Sequence, residues 1–459
     1  MEALRSITRR EFLRGSALSA AACVLAACSP AATPVPQPEP TEVAPTTAAA
    51  QEAPATEAPT TAASEPTAAP QQAKVNWLGP FVPAYRMDYV TKVLIPSYKD
   101  VAPNVEIVPE QATSWPDTEE KIMVRYAAGG GPDLAQTYFA PLDFASRGML
   151  AAMNPFLEAD SRVKGEDFFV SLMKGAQYNG KTYGLPHNAI TQVLFYNKKY
   201  FEAAGLQEPP KTLTELAEFA RKLTAVKKGA GFDYAMEIQL NDADTFAAYL
   251  YANGGRFVDD DCQRMFYDET MLATLKYIVD LIKSGDAAPF GSAADVPNGK
   301  AAMRYSVPIL VGNTKTQFPD VYPNLGAALV PAGPGGHTSY SWAHYEHIMA
   351  NSKVKEAAWD FLAWMLSDLK TDVEFHDQQN FVPTQPRTYA DKLFAEHWAW
   401  SVFAKQLASC ISAPTCLKWR AAYTEVMTPE LEAAWTLQKT PEEVIATMNQ
   451  KLPKILGIS

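Results

Sequence analysis

The sequence predicts an α/β protein of two domains, preceded by a segment that lies outside the fold. The chain has 459 residues, which is more than one compact core usually holds. From residue 74 onward, short apolar strand patterns alternate with helical patterns, which is typical of βαβ units and a mostly parallel sheet. Residues 1–73 carry targeting and linker patterns instead.

The N-terminal segment predicts export and lipid anchoring. Residues 8–13 read Thr-Arg-Arg-Glu-Phe-Leu, and a short apolar stretch covers residues 15–27. A basic start with a short apolar stretch is typical of an export signal, and this string is similar to a twin-arginine signal. Residues 25–28, Leu-Ala-Ala-Cys, resemble a bacterial lipobox. We therefore interpret residues 1–28 as a lipoprotein signal with Cys28 as the acylated residue; the alternative is a basic amphipathic helix.

Residues 29–73 predict a disordered linker. They are almost entirely Pro, Ala, Thr, Glu, Gln and Ser, with no aromatic residue, Lys or Arg. Such a composition cannot build a core. The expected location is outside the cytoplasm, with the folded body tethered to the outer face of the cytoplasmic membrane.

Charge and cysteine usage exclude several classes of function. The formal net charge is −11. The sequence has no run of Lys or Arg of the kind that indicates nucleic-acid binding. No Cys-x-x-Cys pair occurs, so a zinc or redox motif is unsupported. We expect no metal site and no cofactor. Cys410 and Cys416 enclose a short loop, and they form either a small disulfide or two buried thiols.

The predicted elements follow one another in regular order. Apolar runs at residues 74–78 and 104–108 predict strands, and a helix is expected from about residue 116 to 128. Residues 132–135 begin a third strand. Further on, Thr212 predicts a helix start, with Glu215 completing a capping box. Apolar residues at helical spacing predict later helices around 272–282, 357–365 and from residue 440.

Several strings together resemble one protein family. They are Gly-Gly-Pro-Asp at 130–133, Gly-Lys-Thr-Tyr-Gly-Leu-Pro at 180–186, Val-Leu-Phe-Tyr-Asn-Lys-Lys-Tyr-Phe at 193–201, Asn-Gly-Lys-Ala-Ala-Met at 298–303 and Glu-Ala-Ala-Trp-Asp-Phe-Leu at 356–362. Their order is similar to that in the extracellular solute-binding proteins, family 1, the sugar-binding subunits of ABC importers. The resemblance covers essentially all of residues 74–459.

The resemblance implies a two-lobed periplasmic-binding-protein-like fold of type II, hinged by crossing strands. Lobe one would comprise residues 74–188 and 327–385, and lobe two residues 189–326 and 386–459. A ligand would lie in the cleft between the lobes, which close on hinges and exclude water.

A sugar has apolar C–H faces and a rim of hydroxyls, which aromatic rings and polar side chains recognise respectively. Aromatic and polar residues at predicted strand ends and loops are therefore the candidate contacts. The candidates are Phe81, Trp115, Tyr138, Phe139, Asp143, His187, Asn188, Asp242, Asp244, Tyr305, Trp342 and Trp419.

Two departures from the family pattern imply a bulkier cleft wall. Arg-Tyr-Ser-Val-Pro follows Met303 where the family often has Gly-Pro-Trp, and Ser-Tyr-Ser at residues 339–341 replaces a Gly-Gly pair. A bulkier wall favours a smaller ligand or a different polar one.

The expected function is a monomeric receptor that binds a mono- or oligosaccharide without changing it and delivers it to an ABC permease. One alternative is a receptor for a polyamine or for glycerol phosphate. No Arg or Lys is among the candidate contacts, which argues against a phosphate, whereas Asp143, Asp242 and Asp244 suit a cation. The other alternative is a secreted glycan-active enzyme, for which two such carboxylates could serve.

Overall fold

The computed structural model describes residues 72–138, 141–240, 242–290 and 296–458. The predictions for the signal, for most of the linker, for Cys28 and for Phe139 lie outside the described residues. Within those ranges, no helix is long and apolar enough to cross a membrane.

The strands of the described ranges are β1 Ala73–Gly79, β2 Val105–Gln111, β3 Leu134–Thr137, β4 Gln177–Tyr178, β5 Lys181–Thr182, β6 Leu185–Thr191, β7 Val193–Asn197, β8 Tyr234–Gln239, β9 Ala287–Phe290, β10 Ala301–Ser306, β11 Leu325–Ala328, β12 Tyr340–Ile348 and β13 Ile411–Ser412.

The α-helices are α1 Ala84–Tyr89, α2 Ile95–Val101, α3 Trp115–Ala127, α4 Pro141–Ser146, α5 Asn154–Ala159, α6 Val170–Lys174, α7 Lys198–Ala203, α8 Leu213–Ala230, α9 Ala243–Ala252, α10 Glu269–Lys283, α11 Ile309–Gln317, α12 Lys355–Ser367, α13 Leu369–Gln379, α14 Lys392–Ala395, α15 Trp400–Ala408, α16 Trp419–Ala422, α17 Thr428–Trp435 and α18 Pro441–Leu456. Short π-helical turns follow α1 at Val90–Leu94 and α16 at Tyr423–Met427.

Two separate sheets form the centres of two α/β lobes. The first sheet has the order β13-β12-β3-β1-β2, with β6 also paired to β12, and the second has the order β11-β7-β10-β8-β9. β1 is parallel to β2 and β3, and β8 is parallel to β9 and β10. The mostly parallel centre confirms the alternation read from the sequence, and antiparallel strands are added where the chain passes between the sheets.

The passage from the first sheet to the second is very short. β6 belongs to the first sheet and β7 to the second, and Gln192 alone separates them. The chain returns between β11 and β12. Such extended crossings are the hinge that the sequence predicts. The lobe boundaries given above stay predictions.

Local sequence rules account for the helix starts. The Thr212 hydroxyl accepts a hydrogen bond from the Glu215 amide at 3.1 Å, as predicted for an N-cap. The Glu215 carboxylate, however, accepts from the amide of Lys211 instead of Thr212. At the last helix, Thr440 and Glu443 form the full reciprocal capping box, and Pro441 occupies the first turn.

Each lobe has its own apolar core. In the first lobe Trp77, Phe361 and Leu362 are buried together, and in the second Phe246 and Trp435 are buried with the helices around β8 and β10. A third cluster lies around the crossing strands and includes Val193, Phe195 and Phe403. Burial at these positions removes large apolar side chains from water, which is the main driving force for folding.

Neither of the two alternatives for Cys410 and Cys416, a small disulfide between them or two buried thiols, is right. Cys416 is bonded to Cys262, which lies 154 residues away in sequence, and Cys410 is a free thiol. Tertiary folding brings the loop after β13 against the loop around residue 262, while the Cys410 sulfur contacts the Thr191 hydroxyl at 3.2 Å. The bond ties the segment before α16 to the second lobe, and Trp419 in that helix contacts Phe257 there.

The disulfide should contribute measurably to stability. Cross-links between distant residues restrict the unfolded chain, and removing a native one typically costs about 2–5 kcal/mol. We expect a Cys262→Ala/Cys416→Ala double variant to unfold at a lower urea midpoint than the wild type. Dithiothreitol should lower the wild-type midpoint towards that of the variant and leave the variant unchanged. Equal midpoints for oxidised and reduced wild type would contradict the assignment.

Candidate functional site

Two adjoining cavities lie where the lobes meet. The larger has a volume of about 270 Å³ and the smaller about 90 Å³. Tyr138, which directly follows β3, lines both cavities. The larger cavity is lined by Arg86, Trp115, Tyr138, Asn188, Ile190, Val307, Pro308, Ile309, His344, Asn380 and Phe381, and the smaller by Tyr138, Asp244, Tyr340, Trp342, Trp419, Arg420 and Tyr423.

Strand β12 supplies one wall of both cavities. Side chains alternate along a strand, so residues two apart share a face. Tyr340, Trp342 and His344 therefore face the cleft together, and Tyr340 stacks on Trp342 with ring centres 5.1 Å apart. Pairing with β6 sets Asn188 opposite His344. His347 lies on the opposite side of β12 and contacts Thr137 and Tyr183. The strand therefore separates His344 from His347.

The His344 ring is oriented by a chain of hydrogen bonds. The Asn188 side-chain oxygen accepts from the backbone amide of Val382 at 2.9 Å, which turns its NH₂ group towards His344 Nδ1 at 3.0 Å. Nδ1 must therefore accept, and the ring proton is on Nε2. Burial, the neighbouring His187 and Arg86 lower the pKa of His344 well below its ordinary value, so the imidazole is neutral.

Trp115 and Tyr138 complete the aromatic wall of the larger cavity. The Trp115 ring centre is 3.9 Å from that of His344, and Tyr138 is 5.0 Å from His344 at a steep angle. Trp115 is the first residue of α3, where the Ser114 side chain caps the helix and so fixes the start of the turn. Half-buried rings at this position offer apolar faces without closing the cavity.

The smaller cavity combines aromatic rings with a carboxylate. Tyr340 donates its hydroxyl proton to Asp244, while Tyr423 donates to Asp242 at 3.3 Å. Burial and the adjacent negative charge of Asp242 raise the pKa of Asp244 well above its ordinary value. Asp242 caps α9, accepting from the Asp244 amide at 2.9 Å and from the Thr245 hydroxyl. Asp244 is thus the carboxyl that lines the cavity, and Asp242 holds it in position.

Side chains of the first lobe hold the segment around α16 across the cleft. Glu119 on α3 is buried and forms an ion pair with Arg420. The Asp143 carboxylate accepts a hydrogen bond from the Lys418 amide at 3.3 Å. These contacts keep Trp419 at the rim of the smaller cavity. Asp143 therefore contacts the opposite segment, while Asp244 lines the cavity itself.

A buried polar pair lies beneath the larger cavity. Burial raises the pKa of Glu346 to about 8, although Trp77 and Gln136 donate hydrogen bonds to its oxygens at 3.0 and 2.7 Å. Burial also lowers the pKa of His187 well below its ordinary value. The two groups lie 3.8 Å apart. Because each is driven towards its neutral form, we interpret the contact as a neutral one and not as a salt bridge.

Glu346 should make stability depend on pH. Its native pKa of about 8 exceeds the ordinary value of 4.5, so folding favours its protonated form. That stabilisation is complete below about pH 4.5 and is lost as pH rises through about 8. A pKa difference of one unit corresponds to about 1.4 kcal/mol. The free energy of unfolding of Glu346→Gln, relative to that of the wild type, should therefore increase by on the order of 4 kcal/mol between pH 5 and pH 9.

Urea unfolding at a series of pH values measures this gain. Glu202→Gln, a change at an exposed carboxylate of α7, is the matched control and should follow the wild-type curve. Parallel curves for the wild type and Glu346→Gln would show that the carboxyl titrates normally.

Three predicted contacts are core residues and not cavity residues. Phe81 packs edge-on against Trp77, and His187 is fully buried beside Phe381. Tyr305 packs on Tyr249 with ring centres 4.6 Å apart, because the alternation along β10 points it into the second lobe. The sequence places these residues near predicted strand ends and crossings, but it does not indicate the direction in which their side chains point.

The structure brings six predicted contacts to the cleft and adds others. Those brought together are Trp115, Tyr138, Asn188, Asp244, Trp342 and Trp419. Tyr340 and His344 were missed, although alternation along an extended segment would place them on the same side as Trp342. After Met303, Val307, Pro308 and Ile309 line the larger cavity, while Arg304 turns inward and pairs with Glu237 at 2.7 Å.

Arg86 is the most consequential residue that the sequence analysis missed. It lies on α1 and lines the larger cavity. The argument against a phosphate ligand, which depended on the lack of Arg or Lys among the candidate contacts, therefore fails. No local pattern in the sequence indicates that a helix so far from the crossing strands reaches the cleft.

Family comparison agrees with this architecture. The model of the bacterial extracellular solute-binding proteins matches residues 83–368. The chain belongs to this family. Its members are exported proteins that bind solutes for ABC importers and are not enzymes, so the enzyme alternative is set aside.

Named relatives and a solved structure are similar over most of the fold. A maltotriose-binding protein of Pyrococcus abyssi (strain GE5 / Orsay) is 28% identical over 291 residues, covering 61% of this chain and 60% of the relative. The sn-glycerol-3-phosphate-binding periplasmic protein of Pectobacterium atrosepticum is 24% identical, covering 74% of this chain and 82% of the relative. The structure of the GacH receptor of Streptomyces glaucescens GLA.O superposes with a TM-score of 0.72 at 24% identity, covering 84% of this solute-binding protein and 99% of the receptor. The fold is therefore the two-lobed type II fold.

Proposed function

We propose that this solute-binding protein captures a mono- or oligosaccharide in the cleft between its lobes and delivers it to an ABC permease. The observation that carries the proposal is the composition of the cleft. Half-buried rings of Trp115, Tyr138, Trp342 and Trp419 alternate with hydrogen-bonding groups at His344 and Asp244. Rings cover the C–H faces of a sugar, and oriented polar groups discriminate among hydroxyl arrangements.

Two similar proteins support a carbohydrate ligand. One relative is a maltotriose-binding protein, and the GacH receptor was crystallised in complex with acarbose. Another relative binds sn-glycerol 3-phosphate, a smaller hydroxylated compound. What these ligands share is a set of hydroxyl groups, and the polar groups of the cleft suit that feature.

We further propose how the protein is arranged at the cell surface. Acylated Cys28 anchors the chain to the outer face of the cytoplasmic membrane, and residues 29–73 tether the body. The body acts as a monomer, and its lobes, with the boundaries predicted above, close on the ligand and present one surface to the permease. Closure around a bound solute would strengthen each polar contact by excluding water.

Removing an aromatic platform should weaken sugar binding. We expect Trp342→Ala and Trp419→Ala each to reduce affinity at least tenfold for the best-binding neutral sugar, found by calorimetry with maltose, maltotriose and acarbose. Trp398→Ala is the control, because Trp398 is half-buried beside Tyr322 and lines neither cavity. Putrescine and spermidine belong in the same screen. Tight polyamine binding without sugar binding would replace the carbohydrate assignment, and unchanged sugar affinity in both variants would refute the site.

The anchor is tested by a neighbouring pair of cysteines. Cys28→Ser should move the protein from the membrane fraction to the soluble exported fraction, because acylation requires the thiol. Cys23→Ser, five positions earlier in the apolar stretch, should stay with the membrane. Membrane retention of Cys28→Ser would show that another feature holds the chain there.

A further inference from the structure

The guanidinium group of Arg86 lies in an unusual environment. The residue is 9% exposed and lines the larger cavity. Its Nε is buried and has no hydrogen-bond partner among the described residues. Its nearest aromatic neighbour is Phe381, whose ring centre lies 4.5 Å from the guanidinium carbon. A strong donor group is thus withdrawn from water with part of its hydrogen-bonding capacity unused.

The positive charge of Arg86 is not balanced by a protein carboxylate. In the described part of the chain, no Asp or Glu lies within 4.0 Å of its nitrogens. Burial lowers the pKa of Arg86, and the Tyr85 hydroxyl is what opposes that effect. Among the described residues that line the larger cavity, Arg86 is the sole one with a formal charge at neutral pH, since His344 is neutral.

Comparison with another buried arginine of this chain makes the contrast clear. Arg304 is 1% exposed, and its Nη1 lies 2.7 Å from the Glu237 carboxylate. Arg420, at the smaller cavity, is likewise paired with Glu119. A buried charge without a partner is costly and calls for an explanation. The simplest one is that the partner of Arg86 arrives with the ligand.

Other donors surround the same space. His344 carries its ring proton on Nε2, as its bond with Asn188 requires. Asn380, directly after α13, also lines the cavity, and its NH₂ group donates one hydrogen bond to the Tyr85 hydroxyl at 3.3 Å, which leaves its second N–H for a ligand. No carboxylate lines this cavity in the described ranges, whereas Asp244 lines the smaller one. The larger cavity therefore offers hydrogen-bond donors and positive charge, a combination that suits an oxyanion.

We propose that the solute carries a phosphate or carboxylate group, which Arg86 binds in the larger cavity while the hydroxylated remainder of the solute extends past Tyr138 into the smaller one. This inference rests on the proposed function and narrows it from neutral sugars to acidic sugars or polyol phosphates. Arg86 supplies charge and a fork of N–H donors, and His344 and Asn380 complete the oxyanion contacts. The competing interpretation is that Arg86 only packs on Phe381.

Matched neutral and acidic compounds test the proposal in the full-length protein. Calorimetry compares glucose with glucose 6-phosphate, glycerol with glycerol 3-phosphate and galactose with galacturonate, and inorganic phosphate serves as the bare anion. We expect at least one acidic member to bind ten times more tightly than its neutral partner, and the pairs separate a phosphate from a carboxylate. Arg86→Gln should abolish that preference, because it should lower the affinity for the acidic member far more than the affinity for the neutral member.

Two controls separate ligand binding from packing. Arg221→Gln, at an exposed position on α8, changes the net charge equally and should keep the acidic preference. The ligand-free melting temperature of Arg86→Gln should equal or exceed that of the wild type, because an unpaired buried charge is removed. A lower melting temperature together with an unchanged acidic preference would assign Arg86 to packing and overturn the inference.

The outcomes also distinguish this inference from the function on which it rests. Tight binding of maltotriose or acarbose without any acidic preference overturns the oxyanion subsite and leaves the sugar receptor intact. A preference for the acidic compounds that is lost in Arg86→Gln supports both the proposed receptor function and the oxyanion subsite. Failure of every sugar, acidic compound and phosphate to bind overturns the proposed function and this inference together.

Discussion

The antiparallel pairing of β12 with β6 is the constraint on which the binding cleft depends. β6 continues after one residue into β7 of the second sheet, so the pair lies where the lobes join. Register sets His344 opposite Asn188, and alternation places Tyr340, Trp342 and His344 on the cleft side. A slip of one residue would turn this whole set away from the ligand. The same pairing therefore lies next to the passage between the lobes and sets the direction of the side chains in the site.

Charge is distributed unevenly along the cleft. The larger cavity carries Arg86, neutral His344 and amide donors, while the smaller carries Asp244 beside tyrosine hydroxyls. Beneath the larger cavity, Glu346 and His187 are both driven to neutral forms by burial, which leaves Arg86 as the uncompensated charge. A receptor that only stacked on neutral sugars would have little use for such a group, because desolvating it costs free energy.

The predicted fold and the predicted site differ in how closely they agree with the structure. The order of strands and helices was predictable because the pattern of apolar residues within a short segment indicates its secondary structure. Examples are residues 74–78 for β1 and the segment around Thr212 for α8. Part of the site was predictable because aromatic residues at predicted strand ends and loops were the candidates, and Trp115, Tyr138 and Trp342 are among those that line the cleft. Phe81 and Tyr305 point into the cores, and Cys416 is bonded to Cys262. These outcomes were not predictable from the sequence, because they depend on side-chain direction and on contacts between distant segments.

By itself the sequence determined the family and the alternation of strands and helices, since short-range patterns and family strings record these directly. Tertiary structure decided which side chains meet. Arg86 reaches the cavity from α1, and Lys418 and Arg420 reach across to Asp143 and Glu119. These contacts join residues hundreds of positions apart, and packing between lobes, not local propensity, determines where such residues point.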